Sequence, residues 1–273
     1  MTAISAHGPR TGTIEAYADA VETGAEYVEF DIRRTADGEL AAYHDARTSQ
    51  GDPLTAISYS RLCELAGYPV PRVADVMAVI AGKATGHLDL KDTGGEERVV
   101  EMALDILGPG KFVVTTLEDR SVAAVKARFP AVTAALSLGR DLDELPRSRR
   151  AATRLSEILP LRRLRACRAD WVAVHRRLAA AGVLAQCHRA GIKAMVWTVD
   201  EDAEIKRWLT DRRVSVLITN RPADAVALRA SLAGLGQLHL EDRERVRGEG
   251  EVDVLAVHLA LGVAHAYRVG MGE

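Results

Sequence analysis

Short β-type apolar runs, each followed by a helical pattern, recur along this chain. Thr2–Ala6, Tyr27–Arg33, Gly86–Lys91, Phe112–Thr115, Ala134–Leu138, Trp171–His175, Lys193–Thr198 and Ser215–Thr219 read as strands. Thr13–Thr23, Val73–Ala81, Glu96–Leu107, Ser121–Arg128, Leu178–Ala190, Ala203–Leu209 and Ala223–Leu232 read as helices. Leu40–His44 follows the turn Ala36-Asp37-Gly38, so it folds back on Tyr27–Arg33 as a hairpin. With that second hairpin strand set aside as an insertion, about eight β–α units remain. Alternating strands and helices require parallel pairing through right-handed crossovers. Eight such units in about 230 residues fit an α/β fold of the (β/α)8 TIM-barrel kind better than a doubly wound sheet. No GxGxxG or GxxxxGKS follows a strand, which argues against a dinucleotide or P-loop site.

At 273 residues the chain has room for one barrel, expected over residues 1–232, and a C-terminal extension over 233–273. The extension is open to three uses: a cap, an oligomer contact or a poorly ordered tail. Hydrophobic content of 48% and charged content of 27% exclude general disorder and coiled-coil or collagen rods. A net charge of −2 gives no global reason to expect nucleic acid as partner. Three scattered cysteines suit a reducing cytoplasm, where we expect the protein. The first residues carry no signal-peptide pattern, and no run of 18 apolar residues is found, so no transmembrane span is expected.

In a strand, residues two apart share a face. Tyr27-Val28-Glu29-Phe30-Asp31 therefore puts Glu29 and Asp31 together, and His87-Leu88-Asp89-Leu90-Lys91 puts His87, Asp89 and Lys91 together. Carboxylates sharing one side of an apolar strand repel, and burial makes that worse. A hard cation such as Mg²⁺ or Ca²⁺ relieves both costs, because it takes oxygen ligands. Solvent-facing strands would alternate in the same way. Parallel strands, however, are usually apolar on both faces. In a barrel, functional residues gather at the C-terminal strand ends, where Glu29, Asp31, Asp89 and Lys91 would meet.

His7 and His44 each close a short apolar run ahead of a turn. Two histidines flanking a metal can serve as general base and general acid. A strand-end histidine alone is more often structural. His87 is placed at the barrel floor and His175 within reach of the mouth. Arg140–Asp170 is arginine-rich, with Arg147, Arg149, Arg150, Arg154, Arg162, Arg163, Arg165 and Arg168. Such a run is usually a solvated helical face; the sharper reading is a patch for anionic head groups, with peripheral membrane contact.

These residues resemble the glycerophosphodiester phosphodiesterase family. The likeness runs through Ala6-His7-Gly8, through Gly24-Ala25-Glu26-Tyr27-Val28-Glu29-Phe30-Asp31-Ile32, and through Thr35-Ala36-Asp37-Gly38 to His44-Asp45. It continues at Val70-Pro71-Arg72, Asp89-Leu90-Lys91, Val196-Trp197-Thr198-Val199-Asp200 and Ile218-Thr219-Asn220-Arg221-Pro222. The resemblance implies a (β/α)8 barrel that hydrolyses glycerophosphodiesters with one divalent cation, Mg²⁺ or Ca²⁺. By position, Glu29, Asp31 and Asp89 would hold the metal, and His7 and His44 would be the acid–base pair. Lys91 would meet the phosphate, and Trp197 would line the pocket. Gly8 stands where the family usually has Arg, in a shortened loop, and Arg10 is the candidate to supply the lost charge. Asp89 stands where the family more often has Glu.

The short first loop, Asp-Leu-Lys and Thr-Asn-x-Pro are also similar to the spider-venom phospholipase D group. Its cysteine-tied loop is absent here. That leaves an alternative reading, cleavage of lysophospholipids or sphingolipids to a cyclic phosphate. A further alternative is a catalytically inactive barrel.

Overall fold

The computed structural model describes residues 1–9, 12–143 and 146–234. Its strands are β1 (Ala3–Ala6), β2 (Tyr27–Arg34), β3 (Leu40–Ala42), β4 (Thr85–Leu90), β5 (Phe112–Thr116), β6 (Thr133–Leu138), β7 (Trp171–His175), β8 (Lys193–Trp197) and β9 (Val214–Thr219). Their order is β1-β9-β8-β7-β6-β5-β4-β2-β3, and β1 also pairs with β2. That extra pairing closes eight parallel strands into a TIM barrel, with β3 added outside as the antiparallel hairpin partner of β2. The barrel belongs to a compact unit, Met1–Val226; of a second unit, Ala227–Glu273, only 227–234 are described, as the end of a helix over 222–234. Residues 235–273, which make up nearly all of the expected extension with its three uses of cap, oligomer contact or poorly ordered tail, lie outside the described residues.

The interior is recognisable from which strands contribute to it. Val113, Ala173, Met195, Val216 and Ile218 form one buried cluster with Ala3, Tyr27, Trp171 and Trp197 against it. Those residues come from six strands, so they can meet only inside the barrel. Strand register carries the interior rows around the wall: Glu29 pairs with His87, which pairs with Val113, and Asp31 pairs with Asp89, which pairs with Thr115. The alternate residues Val28, Phe30, Ile32, Leu88 and Leu90 face outward and are buried. They are covered by the helical ring, whose apolar faces include Tyr17, Val76, Met77, Ile80, Val99 and Val100. Tyr17 meets Phe30 edge-on at 6.4 Å.

Among the helices are α1 (Ile14–Glu22), α2 (Tyr59–Ala66), α3 (Val73–Ile80), α4 (Glu96–Ile106), α5 (Asp119–Arg128), α6 (Arg147–Ile158) and α7 (Leu161–Cys167). Sequence reading passed over α2. Its signals are local: the Ser58 hydroxyl accepts from the Arg61 amide at the N-terminus, and Gly67 follows the last turn. Leu54, Leu62 and Val70 pack with Ala41 into a small core of their own under this region.

Two further elements differ from the sequence reading. β3 stops at Ala42, two residues short of the expected Leu40–His44. The helix expected over Leu178–Ala190 is broken into α8 (Arg176–Leu178), a π-turn and α9 (Leu184–Arg189), because Gly182 takes φ 106°. The arginine-rich stretch folds as α6 and α7, and several of its cations are spent in ion pairs: Arg150 with Asp143, Arg154 with Glu157 and Arg163 with Asp119. The last helix before 222 is α10 (Asp202–Thr210).

Candidate active site

The C-terminal ends of the strands surround a cavity of about 410 Å³. His7, Glu29, His44, Lys91, Arg140 and Trp197 are among its walls. A second cavity of about 420 Å³ lies on the other side of His7 and His44, bordered by Tyr17, Tyr43 and Tyr68. Both histidines line both cavities.

Glu29, Asp31 and Asp89 each turn a carboxylate oxygen inward, all within 4.8 Å of one another. Burial drives the Glu29 carboxyl well above its ordinary range, and repulsion from Asp31 and Asp89 adds to this. Lys91 and the Gly8 amide pull the other way. Burial alone would lower the Lys91 ammonium; Asp89, Asp31 and Glu29 outweigh it and hold the lysine charged. Asp89 is held below its ordinary value, since Lys91 and the Thr115 hydroxyl outweigh the cost of burial. Lys91 Nζ donates to Asp89 Oδ2 and stands 2.8 Å from Asp31 Oδ1, off the line of a hydrogen bond. Three carboxylates thus share one cation. This donor set, all hard oxygen with excess negative charge, fits a divalent metal.

Beneath the carboxylates runs a buried chain of hydrogen bonds across the barrel. Ser5 Oγ meets His87 Nδ1 at 3.0 Å, His87 Nε2 meets Thr115 Oγ1 at 3.0 Å, and Thr115 donates to Asp89 Oδ1 at 2.7 Å. That last donation obliges Thr115 to accept from His87, so Nε2 carries the proton and Nδ1 accepts from Ser5. Desolvation lowers His87 to about 4, so the imidazole is neutral near pH 7.

His7 is fixed at the seam between β1 and β9. Its amide donates to Thr219 O, and its Nδ1 lies 2.9 Å from Asn220 Oδ1. Asp200 accepts from both Asn220 Nδ2, at 2.7 Å, and the Asn220 amide, at 2.9 Å. His44 is more open, and its Nδ1 lies 2.7 Å from Asp45 Oδ1. Gly8 also belongs to the site: its amide donates to Glu29 Oε2. A Cβ there would stand 2.9 Å from that oxygen.

On the opposite wall, Trp197 meets His175 edge-on at 5.2 Å. A Cβ on Gly139 would strike the His175 Cβ at 2.4 Å. Buried Glu157 on α6 accepts from the amides of Gly139 and Arg140, each at 2.9 Å, and so fixes this loop against the wall.

The structure brings together seven of the sequence-derived site residues: His7, Glu29, Asp31, His44, Asp89, Lys91 and Trp197. Arg10 lies outside the described residues. Thr115, Asp200, Asn220 and Glu157 were not singled out. Asp200 and Asn220 stand within motifs quoted above, whereas Thr115 is reached only through strand register.

A closed (β/α)8 barrel with three inward carboxylates, a lysine and two histidines at its C-terminal mouth has the place and the groups that an acid–base hydrolase with room for a metal ion needs. Residues 5–224 match the model of the glycerophosphoryl diester phosphodiesterase family, and the chain belongs to that family of hydrolases. No curated protein matches its sequence significantly. Among solved structures it is similar to a glycerophosphodiester phosphodiesterase from Parabacteroides distasonis. The TM-score is 0.68 at 20% identity, covering 85% of this chain and 98% of that one. The enzyme from Thermotoga maritima gives 0.66 at 19%, covering 84% and 99%. A phosphodiesterase from Oleispira antarctica, solved with its product sn-glycerol-3-phosphate, gives 0.64 at 16%, covering 84% and 96%.

Proposed function

We propose that the protein hydrolyses a glycerophosphodiester to glycerol phosphate and an alcohol, with one divalent cation, Mg²⁺ or Ca²⁺. The observation that carries this reading is the convergence of Glu29, Asp31, Asp89, Lys91, His7 and His44 on one cavity mouth. Glu29, Asp31 and Asp89 would hold the cation. When bound, it supplies Lewis-acid neutralisation of charge on the phosphate oxygens. Lys91 adds a fixed positive charge beside the same oxygens, as transition-state charge develops there.

We assign the histidine roles from the partners of each ring. Asp200 takes both donors of Asn220, so Asn220 Oδ1 faces His7 and must accept from Nδ1–H. His7 Nε2 is left with a lone pair, ready to take a proton from the attacking water. His44 donates Nδ1–H to Asp45, the partner an imidazolium acid calls for. It would protonate the departing alcohol. Such acid–base help is worth roughly 10²–10⁴-fold.

Trp197 lines the cavity that receives one arm of the diester. Three unpaired cysteines among the described residues, two of them buried, fit our placement of the protein in the cytoplasm. No helix of the described residues is long and apolar enough to cross a membrane. ³¹P NMR of the protein with glycerophosphocholine and glycerophosphoethanolamine tests the reading. Chelator-sensitive glycerol phosphate is the expected product; a cyclic phosphate overturns the reading, as does the absence of product, with either cation, from these two esters and from glycerol phosphate diesters of neutral and anionic alcohols alike.

A further inference from the structure

Beyond the catalytic cavity, the wall formed by Leu117, Ser137 and Arg140 has a second cavity behind it, of about 420 Å³. These three residues line both spaces. The second cavity is lined by four arginines, Arg120, Arg140, Arg149 and Arg163, against three carboxylates, Glu118, Asp119 and Glu157. The carboxylates are committed. Glu157 holds Arg154 and two backbone amides, Asp119 takes Arg163 through both of its oxygens, and Glu118 takes Arg140. The Arg149 guanidinium is left over, and that of Arg120, which feels the Glu96 carboxylate, forms no ion pair among the described residues. Arg149 makes no side-chain hydrogen bond or ion pair among the described residues, and the one hydrogen bond of Arg120 goes to the neutral Thr93 hydroxyl.

Arg140 also lines the catalytic cavity, so it faces both spaces, whereas Arg33 on that cavity is paired with Asp92. Arg140 is also the best anchored of these cations. Its amide is tied to buried Glu157, and Gly139 before it is wedged against His175 and Trp197. Its guanidinium is held through Nη2 by Glu118 and Leu117 O, which leaves Nε and Nη1 without a partner among the described residues; a fork held in this way loses little freedom on meeting carboxylate or phosphate oxygens.

We propose that one alcohol of the substrate diester carries its own anionic group, a carboxylate or a phosphate, and that Arg140 and Arg149 receive it. This rests on the phosphodiesterase reading above and deepens it by naming the charge of the substituent. A choline or ethanolamine ester would leave these guanidiniums facing a cation.

Three diesters of glycerol phosphate that differ in one group test this: the glycerol ester, the glycerate ester and the glycerol-phosphate ester. Each is titrated by calorimetry into the full-length His44→Ala variant with Mg²⁺, and each is assayed for turnover with the native protein. We expect one charged ester to bind about tenfold or more tightly than the glycerol ester, as one charge-assisted hydrogen bond confers. Which charged ester leads separates carboxylate from phosphate. Arg140→Met should bring the ratio close to one. Arg149→Met, on an exposed side chain with no partner to strand, should lower it without disturbing the fold. Equal affinity for the three esters, binding of none, or a ratio unchanged in both variants overturns the proposal. Discrimination in binding without turnover of any ester supports the anion subsite and sinks the hydrolase reading instead.

Discussion

The amide of Gly8 donates to Glu29 Oε2, and a β-carbon on Gly8 would crowd that same oxygen at 2.9 Å. The backbone of the first loop is therefore packed directly on the carboxylate cradle. Gly8→Ala should push Glu29 out of line with Asp31 and Asp89. We expect a destabilisation of about 1–3 kcal/mol in urea unfolding and a weaker Mg²⁺ response in calorimetry. Gly8→Arg, with a longer side chain at the same contact, should do worse on both counts. A gain in activity for Gly8→Arg would show that the loop relaxes freely.

Thr115 is the hinge of the buried polar chain, accepting from His87 and donating to Asp89. Thr115→Val keeps the shape and strands a proton on His87, at a cost of about 1–3 kcal/mol. It also frees Asp89 Oδ1 to turn, so metal affinity should fall by about 10–100-fold. Thr115→Ser should recover most of both. Equal metal affinity for the valine and serine variants would reduce Thr115 to a packing residue.

His87 is held neutral by burial, with its value lowered from 6.5 to about 4. Between those values the unfolded chain binds the proton that the folded chain refuses. Stability therefore rises with pH through this window and levels off above it. From pH 7 to pH 5 the loss assignable to His87 is about 2 kcal/mol. Urea midpoints across that range, compared with a His87→Gln variant, measure it; the variant should show the smaller slope.

Asn220 and Asp200 act on His7 without touching the cavity's reacting centre. Asp200→Asn keeps only one of the two acceptor oxygens that hold Asn220, so the Asn220 side-chain amide is no longer fixed by both and His7 Nδ1 loses its assigned partner. Turnover should fall by about 10–100-fold while Mg²⁺ binding stays intact. His7→Ala and His44→Ala should each cost about 10²–10⁴-fold, with the carboxylates still able to hold the ion. Loss of metal binding in any of the three variants would place these residues in the cradle itself.

Much of this site was legible because strands broadcast a period of two. Glu29 with Asp31, and His87, Asp89 and Lys91, declare a shared polar face inside otherwise apolar runs. What sequence alone does not carry is register. That Asp31 stands beside Asp89, and Asp89 beside Thr115, depends on how strands far apart in the chain slide against each other. The same limit hid Glu157, which looks like one more charge on a solvated helix but is buried under the β6 loop. Gly182 went unread for a different reason: a helical pattern tolerates a glycine, and only the fold decides that this one turns the chain.

The seam at which β1 meets β9 sets an order on synthesis. All three carboxylates and Lys91 are encoded by residue 91, and the hairpin with Glu29, Asp31 and the following His44 is complete before Asp89 and Lys91. His7 emerges first of all, yet the residue that fixes its ring, Asn220, is made more than two hundred residues later. A growing or prematurely ended chain can own the full cradle and still lack an oriented base. Activity therefore reports that the last strand has docked, and a lesion that prevents closure silences the enzyme without altering any residue that meets the phosphate.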